Sequence, residues 1–263
     1  MSQSQSSAII YSIANQKGGV GKTTTAVNLA ALVSEQNKRV LIIDSDPQSN
    51  ATSSLGVKVP ENGITLYDVL VNKRPLDEAI QSTYRPKLFI VPATPDLAAA
   101  EVEMVQFLAR EQVLKKAIGA LTTKFDFIFI DTPPSLGVLT INALTASSHG
   151  VIIPVQSEYL ALEGLGHLLN TIRLIRDNLN ANLQIAGVLM TMFDSRTKLA
   201  SQVVNEVRIY FPEETFDAVV PRNIRLSESP SHGEDIFTYA PRSSGSVAYQ
   251  AVTKELLHRS KKF

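Results

Sequence analysis

Cysteine is absent from the 263-residue chain, and so is tryptophan. The missing thiols exclude disulfides, thiolate metal sites, iron–sulfur ligation and a cysteine nucleophile. Neither sign of charge is in excess, since 25 Lys and Arg face 25 Asp and Glu. A zero sum gives no overall attraction to nucleic acid or anionic lipid, although a local patch can sit inside it. Long hydrophobic runs are missing too: Val40 to Ile43 and Phe127 to Ile130 are strand-length and end in charges, too short to span a bilayer. Met1 to Ser7 is a polar Ser/Gln stretch with neither a basic region nor an apolar core, unlike a secretory signal. These absences point to a cytoplasmic protein whose chemistry comes from oxygen and nitrogen groups.

What is present is an alternation of short apolar runs with longer segments of helical spacing, the pattern of an α/β domain with a mostly parallel central sheet and helices on both faces. Strands are expected at Ile9 to Ala14, Arg39 to Asp44, Leu88 to Val91, Phe127 to Asp131, Val151 to Val155, Ile185 to Met192 and Ala218 to Val220. Most are continuously apolar, as strands covered on both faces should be. Helices are expected at Thr23 to Ser34, Arg110 to Leu121, Leu162 to Leu179, Leu199 to Tyr210 and Val247 to Arg259. Leu165, Leu168, Leu169, Ile172 and Ile175 repeat at helical spacing and read as a helix packed on the sheet. No internal repeat or long Pro/Gly/Ser linker divides the chain, so residues 1–8 read as a flexible tail and 9–263 as a single domain.

The richest segment is Ile13 to Thr25, I-A-N-Q-K-G-G-V-G-K-T-T-T, between an expected strand and an expected helix. Gly18, Gly19 and Gly21, with Val20 among them, let the backbone curl so that successive N–H groups converge on phosphate oxygens at the positive end of the next helix. Lys22 then offers a charge to the β and γ phosphates, and the Thr23 hydroxyl is placed to ligate Mg²⁺, with Thr24 the last nucleotide-binding residue expected of the loop. The strict P-loop pattern has glycine where Gln16 stands. A plain glycine-rich turn capped by Thr23 is the alternative; the flanking strand and helix weigh against it.

Asp44 and Asp46 close one apolar run and Asp131 closes another. Ligands of open α/β sheets collect at that carboxyl edge, so all three can face the phosphate loop. An apolar strand ending in Asp is the Walker B arrangement, and Asp131 is the candidate for holding Mg²⁺, through water. A lone Asp after a strand is as often structural; three of them beside a P-loop favour metal and water chemistry.

The loop K-G-G-V-G-K-T-T resembles the deviant Walker A motif of the ParA/MinD class of P-loop ATPases. The resemblance implies a single P-loop NTPase domain, in which Lys17 reaches across an ATP-sandwiched homodimer to the partner's phosphates. Such a trans cation acts like an arginine finger, on a scale of about 10³ to 10⁵ in rate. D-x-D-P-Q resembles the Walker A′ segment, implying that Asp46 positions the attacking water and Asp44 supports the Mg²⁺ shell. Pro133, Pro134, Ser135 and Gly137 resemble switch II, although the prolines equally serve to end a strand.

Over Ile9 to about Leu257, the segments N-Q-K-G-G-V-G-K-T-T, D-x-D-P-Q-x-N-A-T, D-T-P-P-S, M-F-D-S-R-T and P-R-N-I-R-L-S-E-S-P-S-H-G look like the chromosomal ParA (Soj) subfamily. Relatives built on the nitrogenase iron protein or the arsenite-pump ATPase rely on cysteines, which this chain lacks. The subfamily implies a slow, switch-type ATP hydrolase that uses Mg²⁺. Its ATP dimer binds DNA without sequence preference, and a ParB-like centromere-binding partner stimulates it on the nucleoid, with no stable membrane association. Carried over by motif, DNA binding falls to Arg196 and Arg225; neighbouring Lys198, Arg208, Arg222 and Arg242 would extend the patch, with Glu206 and Glu228 lying between them. A surface salt bridge is the plainer fate of each arginine. Met192, Pro221 and Arg222 are the adenine candidates, and Pro221 equally serves to end a strand. Dimerisation doubles the phosphates neutralised and hence the logarithmic salt slope, roughly 0.9 counterions per contact, which suits ATP-gated binding by a neutral chain.

The competing class is a membrane-cycling, MinD-like regulator of division-site placement, suggested by Lys254, Arg259, Lys261 and Lys262 in the C-terminal stretch. Val247, Tyr249, Val252, Leu256 and Leu257 there instead fit a helix packed on the sheet. A small-molecule kinase on the same loop is a third class, but no acceptor pocket is readable from sequence.

Overall fold

The strongest β-formers in the chain sit in runs with no polar face, so the strands they make must be covered on both sides. The computed structural model describes residues 8–158 and 163–261. Its strands are β1 (Ile9–Ile13), β2 (Val40–Asp44), β3 (Gln81–Ser82), β4 (Leu88–Val91), β5 (Phe127–Asp131), β6 (Val151–Gln156) and β7 (Ile185–Thr191). They form one sheet in the order β3-β4-β2-β5-β1-β6-β7. All pairings are parallel except β3 with β4. The helices are α1 (Lys22–Glu35), α2 (Asn50–Ser54), α3 (Leu66–Leu70), α4 (Leu97–Glu103), α5 (Val113–Gly119), α6 (Val138–Ala146), α7 (Glu163–Asn178), α8 (Lys198–Tyr210), α9 (Ile224–Glu228), α10 (Ile236–Tyr239) and α11 (Ser244–Arg259).

Alternation along the strands sorts the core into layers. Tyr11, Ile13, Ile42 and Phe129 pack with α1 and α11 on one face, while Ile10, Leu41, Ile43, Ile128 and Ile130 pack with α3 to α6 on the other. A third cluster joins β6 and β7 to α7 and α8 through Ile153, Val155, Leu165, Leu168, Ile172, Ile175 and Val207. Ala8, read as tail from sequence, packs on the second cluster.

Several expected boundaries move for identifiable reasons. No strand forms at Ala218 to Val220: the Asp217 and Ala218 amides donate to the Glu255 carboxylate instead of a ladder, leaving isolated bridges on either side, Val188 to Thr215 and Phe193 to Pro221. β7 stops before Met192, whose φ of 52° is left-handed. The helix expected at Arg110 to Leu121 starts as a 3₁₀ turn, because the Asn142 amide inserts into its first turn: it accepts from Leu114 N–H and donates to Arg110 O. Leu162, the expected start of α7, lies outside the described residues, as does Lys262. Within α11, Tyr249, Val252 and Leu256 are buried, whereas Val247 faces outward.

Two glycines far apart in sequence let backbones cross. A Cβ added to Gly233 would lie 2.8 Å from the Gly56 Cα, so the segment after α2 meets the turn after α9 with no side chain between them.

Candidate functional site

The loop between β1 and α1 needs backbone angles that only glycine adopts without strain: Gly19 has φ of 72° and Gly21, just before α1, has φ of 89°. Its shape is fixed from four sides. Asn15 Nδ2 donates to Pro154 O at 2.7 Å and Asn15 Oδ1 accepts from Lys17 N–H at 3.0 Å. Thr132 Oγ1 donates to Ile13 O and Thr191 Oγ1 to Val20 O, each at 2.9 Å. Asn15, Thr132 and Thr191 escape a sequence reading, since Thr132 and Thr191 are ordinary strand-end residues whose partners lie more than a hundred residues away. Val20 is buried, so only its backbone is available to a ligand.

Lys22 is 7% exposed, and its Nζ donates to the Lys17 carbonyl at 3.1 Å, folded over the loop. Burial pushes its pKa down, opposed by the carboxylates of Asp131 and Asp46. Lys17 lies at the loop entrance, 3.4 Å from the Glu158 carboxylate, which also comes within 3.9 Å of Arg222. Pro134 borders the loop at Gly18.

The strand register sets Asp131 level with Ile13 on one side and Asp44 on the other. Thr23 Oγ1 donates to Asp131 Oδ2 at 2.7 Å, and Asp131 Oδ1 is buried with no hydrogen-bond partner among the described residues. Burial, then the neighbouring Asp44 charge, raises the Asp131 pKa well above the carboxylate range. A fully buried carboxylate oxygen without a donor, beside a hydroxyl, is a hard-oxygen pair that suits Mg²⁺, an ion that takes few protein ligands and completes its shell with phosphates and water.

Asp44 is committed differently. Its Oδ2 accepts from both Thr52 N–H (2.8 Å) and Thr52 Oγ1 (2.7 Å), and its Oδ1 from Asp46 N–H (3.3 Å). Burial nevertheless pushes its pKa up to about 6. Asp44 stands level with Asp131 across the β2–β5 pairing, and its charge acts on that carboxylate. Asp46 is also buried, its Oδ1 accepting from Gln48 N–H at 2.9 Å.

A cavity of about 500 Å³ opens beside the phosphate loop, lined by Gly21, Thr24, Met192, Pro221, Arg222, Asn223 and Tyr249 among others. The structure thus brings together the three adenine candidates; Arg222 N–H donates to Phe193 O at 3.0 Å, which holds the two loops side by side. Sequence reasoning missed Asn223, although it stands in the quoted P-R-N segment, and Tyr249, which reads as an ordinary core residue of α11. Tyr249 also shares a buried hydrogen bond with Thr25 at 3.0 Å.

The DNA candidates stand outside this pocket on the same sheet edge. Arg196 is 84% exposed and pairs with Asp194 at 2.7 Å, Lys198 opens α8 and is exposed, and Arg225 pairs with Glu228 at 2.9 Å. Each arginine therefore has an acidic neighbour, in a geometry worth little on a solvated surface.

A family model described as an AAA domain matches residues 8–185. Over 247 residues the chain is 52% identical to the sporulation initiation inhibitor protein Soj of Bacillus subtilis, covering 94% of this chain and 97% of that protein. It is 51% identical to the chromosome partitioning protein ParA of Myxococcus xanthus, over 95% and 88% of the two chains. Among solved structures, cobyrinic acid a,c-diamide synthase of Mycobacterium smegmatis with bound ADP and magnesium superposes with a TM-score of 0.84 at 36% identity, covering 97% and 96% of the two chains. A glycine-bent phosphate loop, aspartates at adjacent strand ends and these near-full-length likenesses lead to one assignment: the chain belongs to the ParA/Soj family of chromosome-partitioning P-loop ATPases.

Proposed function

We propose that this protein is a Mg²⁺-dependent ATP hydrolase that pairs on ATP, binds DNA without sequence preference as a dimer, and drives partition with a ParB-like partner. The observation that carries the catalytic part is Asp131, buried beside the Thr23 hydroxyl with one oxygen unpartnered. Magnesium and ADP are named with the Mycobacterium structure, and partitioning with the Myxococcus relative, which supports the same reading.

In this reading the loop amides from Gly18 to Thr24 and Lys22 hold the phosphates, and the base enters the Met192, Pro221, Arg222 pocket. Thr23 and Asp131 would hold Mg²⁺. When bound there, the ion would supply charge neutralisation at the phosphates. Asp46 orients the attacking water: the water oxygen bonds to the γ-phosphorus, the β–γ bridging oxygen leaves with ADP, one water proton stays on the phosphate and the other goes to solvent. Lys17 leaves Glu158 and reaches the partner's phosphates. Arg196, Lys198 and Arg225 from both protomers then neutralise DNA phosphates.

Membrane cycling fits less well, since Tyr249, Val252 and Leu256 on the apolar side of α11 are buried in the core. The test is DNA binding with ADP, ATP and a non-hydrolysable analogue across salt. Binding that needs the triphosphate, with a salt slope about twice the monomer's, is expected. ATP-dependent pelleting with anionic liposomes, and not with DNA, would overturn the reading.

A further inference from the structure

Asp46 is buried two residues past the end of β2, just after Ser45, whose N–H donates to Asp131 O at 2.9 Å and carries the sheet pairing one residue beyond Asp44. Thr52, on the first turns of α2, is 4% exposed and bonds to Asp44 Oδ2 twice, through its amide at 2.8 Å and its hydroxyl at 2.7 Å. The same hydroxyl accepts from Ala93 N–H at 3.1 Å, just past the end of β4. Asp44 Oδ1 in turn accepts from the Asp46 amide at 3.3 Å. Residues 44 to 52 are thus closed into a ring, with Asp44 as its hub and the Thr52 hydroxyl as the clasp that fastens it to a neighbouring strand.

We propose that Thr52 is a positioning residue for hydrolysis: by holding Asp44 against the Asp46 amide, its hydroxyl fixes the loop that carries Asp46. This rests on the reading of Asp46 as the group that orients the attacking water. Thr52 touches neither phosphate loop nor base pocket, so its action is on turnover and not on ATP capture. Removing the hydroxyl takes one of two donors from Asp44 Oδ2 and strips the buried Ala93 amide of its acceptor. Both losses loosen the ring at the same point. Small displacements of a positioned group lower rates by as much as about 100-fold without any direct contact to substrate.

Steady-state ATP turnover is measured for the wild type, Thr52→Val, Thr52→Ser, Asp46→Asn and the Thr52→Val/Asp46→Asn pair, each below its own measured melting midpoint. Thr52→Val is expected to lower kcat about 10- to 100-fold with KM for ATP within about twofold. Thr52→Ser, which keeps the hydroxyl, should return kcat to within about threefold of wild type. Adding Thr52→Val to Asp46→Asn should change kcat little further, since the two act through one group. Wild-type turnover in Thr52→Val overturns the proposal, as does an equal loss in Val and Ser, or a KM that rises while kcat holds. If Asp46→Asn turns over normally, the reading of Asp46 fails instead, whatever Thr52 does. Should Thr52→Val not fold, Thr52→Ala takes its place with the same expected split.

Discussion

The Thr23 hydroxyl donates to Asp131 at 2.7 Å, joining the first turn of α1 to the end of β5 across a sequence separation of 108 residues. Both are the oxygen groups suited to Mg²⁺, and here they satisfy one another while Asp131 Oδ1 stays unpartnered. A hydroxyl can give its proton to one acceptor and a lone pair to a cation at once, so in the proposed reading the pair could hold Mg²⁺ with this bond intact.

Lys22→Ala removes the buried ammonium above the loop. ATP affinity should fall by about 10- to 100-fold or more, since hydrogen bonds to charged groups are worth roughly 1.5–3 kcal/mol each. Calorimetric titration checks it, and normal ATP binding would refute the site.

Asp46→Ala should leave ATP binding intact and stall hydrolysis, so the ATP dimer accumulates and stays on DNA. Size-exclusion chromatography with ATP, followed by DNA pelleting, measures both. A variant that remains monomeric with ATP would show that the role of Asp46 is misassigned.

Arg225→Glu replaces a cation whose only close acidic partner on its own helix is Glu228. The dimer should persist while DNA affinity drops, with the salt slope reduced by about 2 per dimer at roughly 0.9 per phosphate contact. Unchanged affinity at matched salt removes Arg225 from the interface.

Arg85→Met tests a network remote from the nucleotide. Asp235 is fully buried and accepts from Arg85 at 2.7 Å, while Arg85 also pairs with Glu35 at 2.6 Å. Breaking a buried pair from one side strands a carboxylate and costs about 3–5 kcal/mol. Urea denaturation should show this loss with little change in ATP affinity. A midpoint like that of the wild type would mean that Tyr84 and the α10 amides already satisfy Asp235.

Asp77→Asn addresses pH. Burial raises the Asp77 pKa, but the amides of Thr122 and Thr123 outweigh it and hold it at about 2, against an ordinary 3.8. A depressed carboxylate contributes stability that is present above the unfolded pKa and lost as pH falls from about 4 toward 2. The melting midpoint of Asp77→Asn should therefore trail the wild type at pH 7 and converge on it as pH drops below 4. A constant gap across that range would assign the difference to packing.

The sheet and the phosphate loop were legible because their signals are local: unbroken apolar runs, and glycines next to Lys22 and Thr23. α6 was not, because Leu139, Thr140, Asn142, Ala143, Leu144, Thr145 and Ala146 are all buried and no polar face marks a period. α2 and α9, at five residues each, are too short to show one. Within the site, Asp46 and Asp131 announce themselves by position after a strand, whereas Asn15, Thr132 and Thr191 act through partners supplied by the tertiary fold. Asp44 is legible from the same position at a strand end, whereas its two bonds from Thr52, eight residues on, leave no pattern in the sequence.

The crossing of Gly56 and Gly233 leaves no room for a side chain at either position. A Cβ on Gly233 would stand 2.8 Å from the Gly56 Cα and one on Gly56 would stand 3.3 Å from the Gly233 carbonyl oxygen, and both residues have positive φ. The spacing between α2 and the turn after α9 is therefore set by backbone against backbone, and holds only while both positions stay glycine.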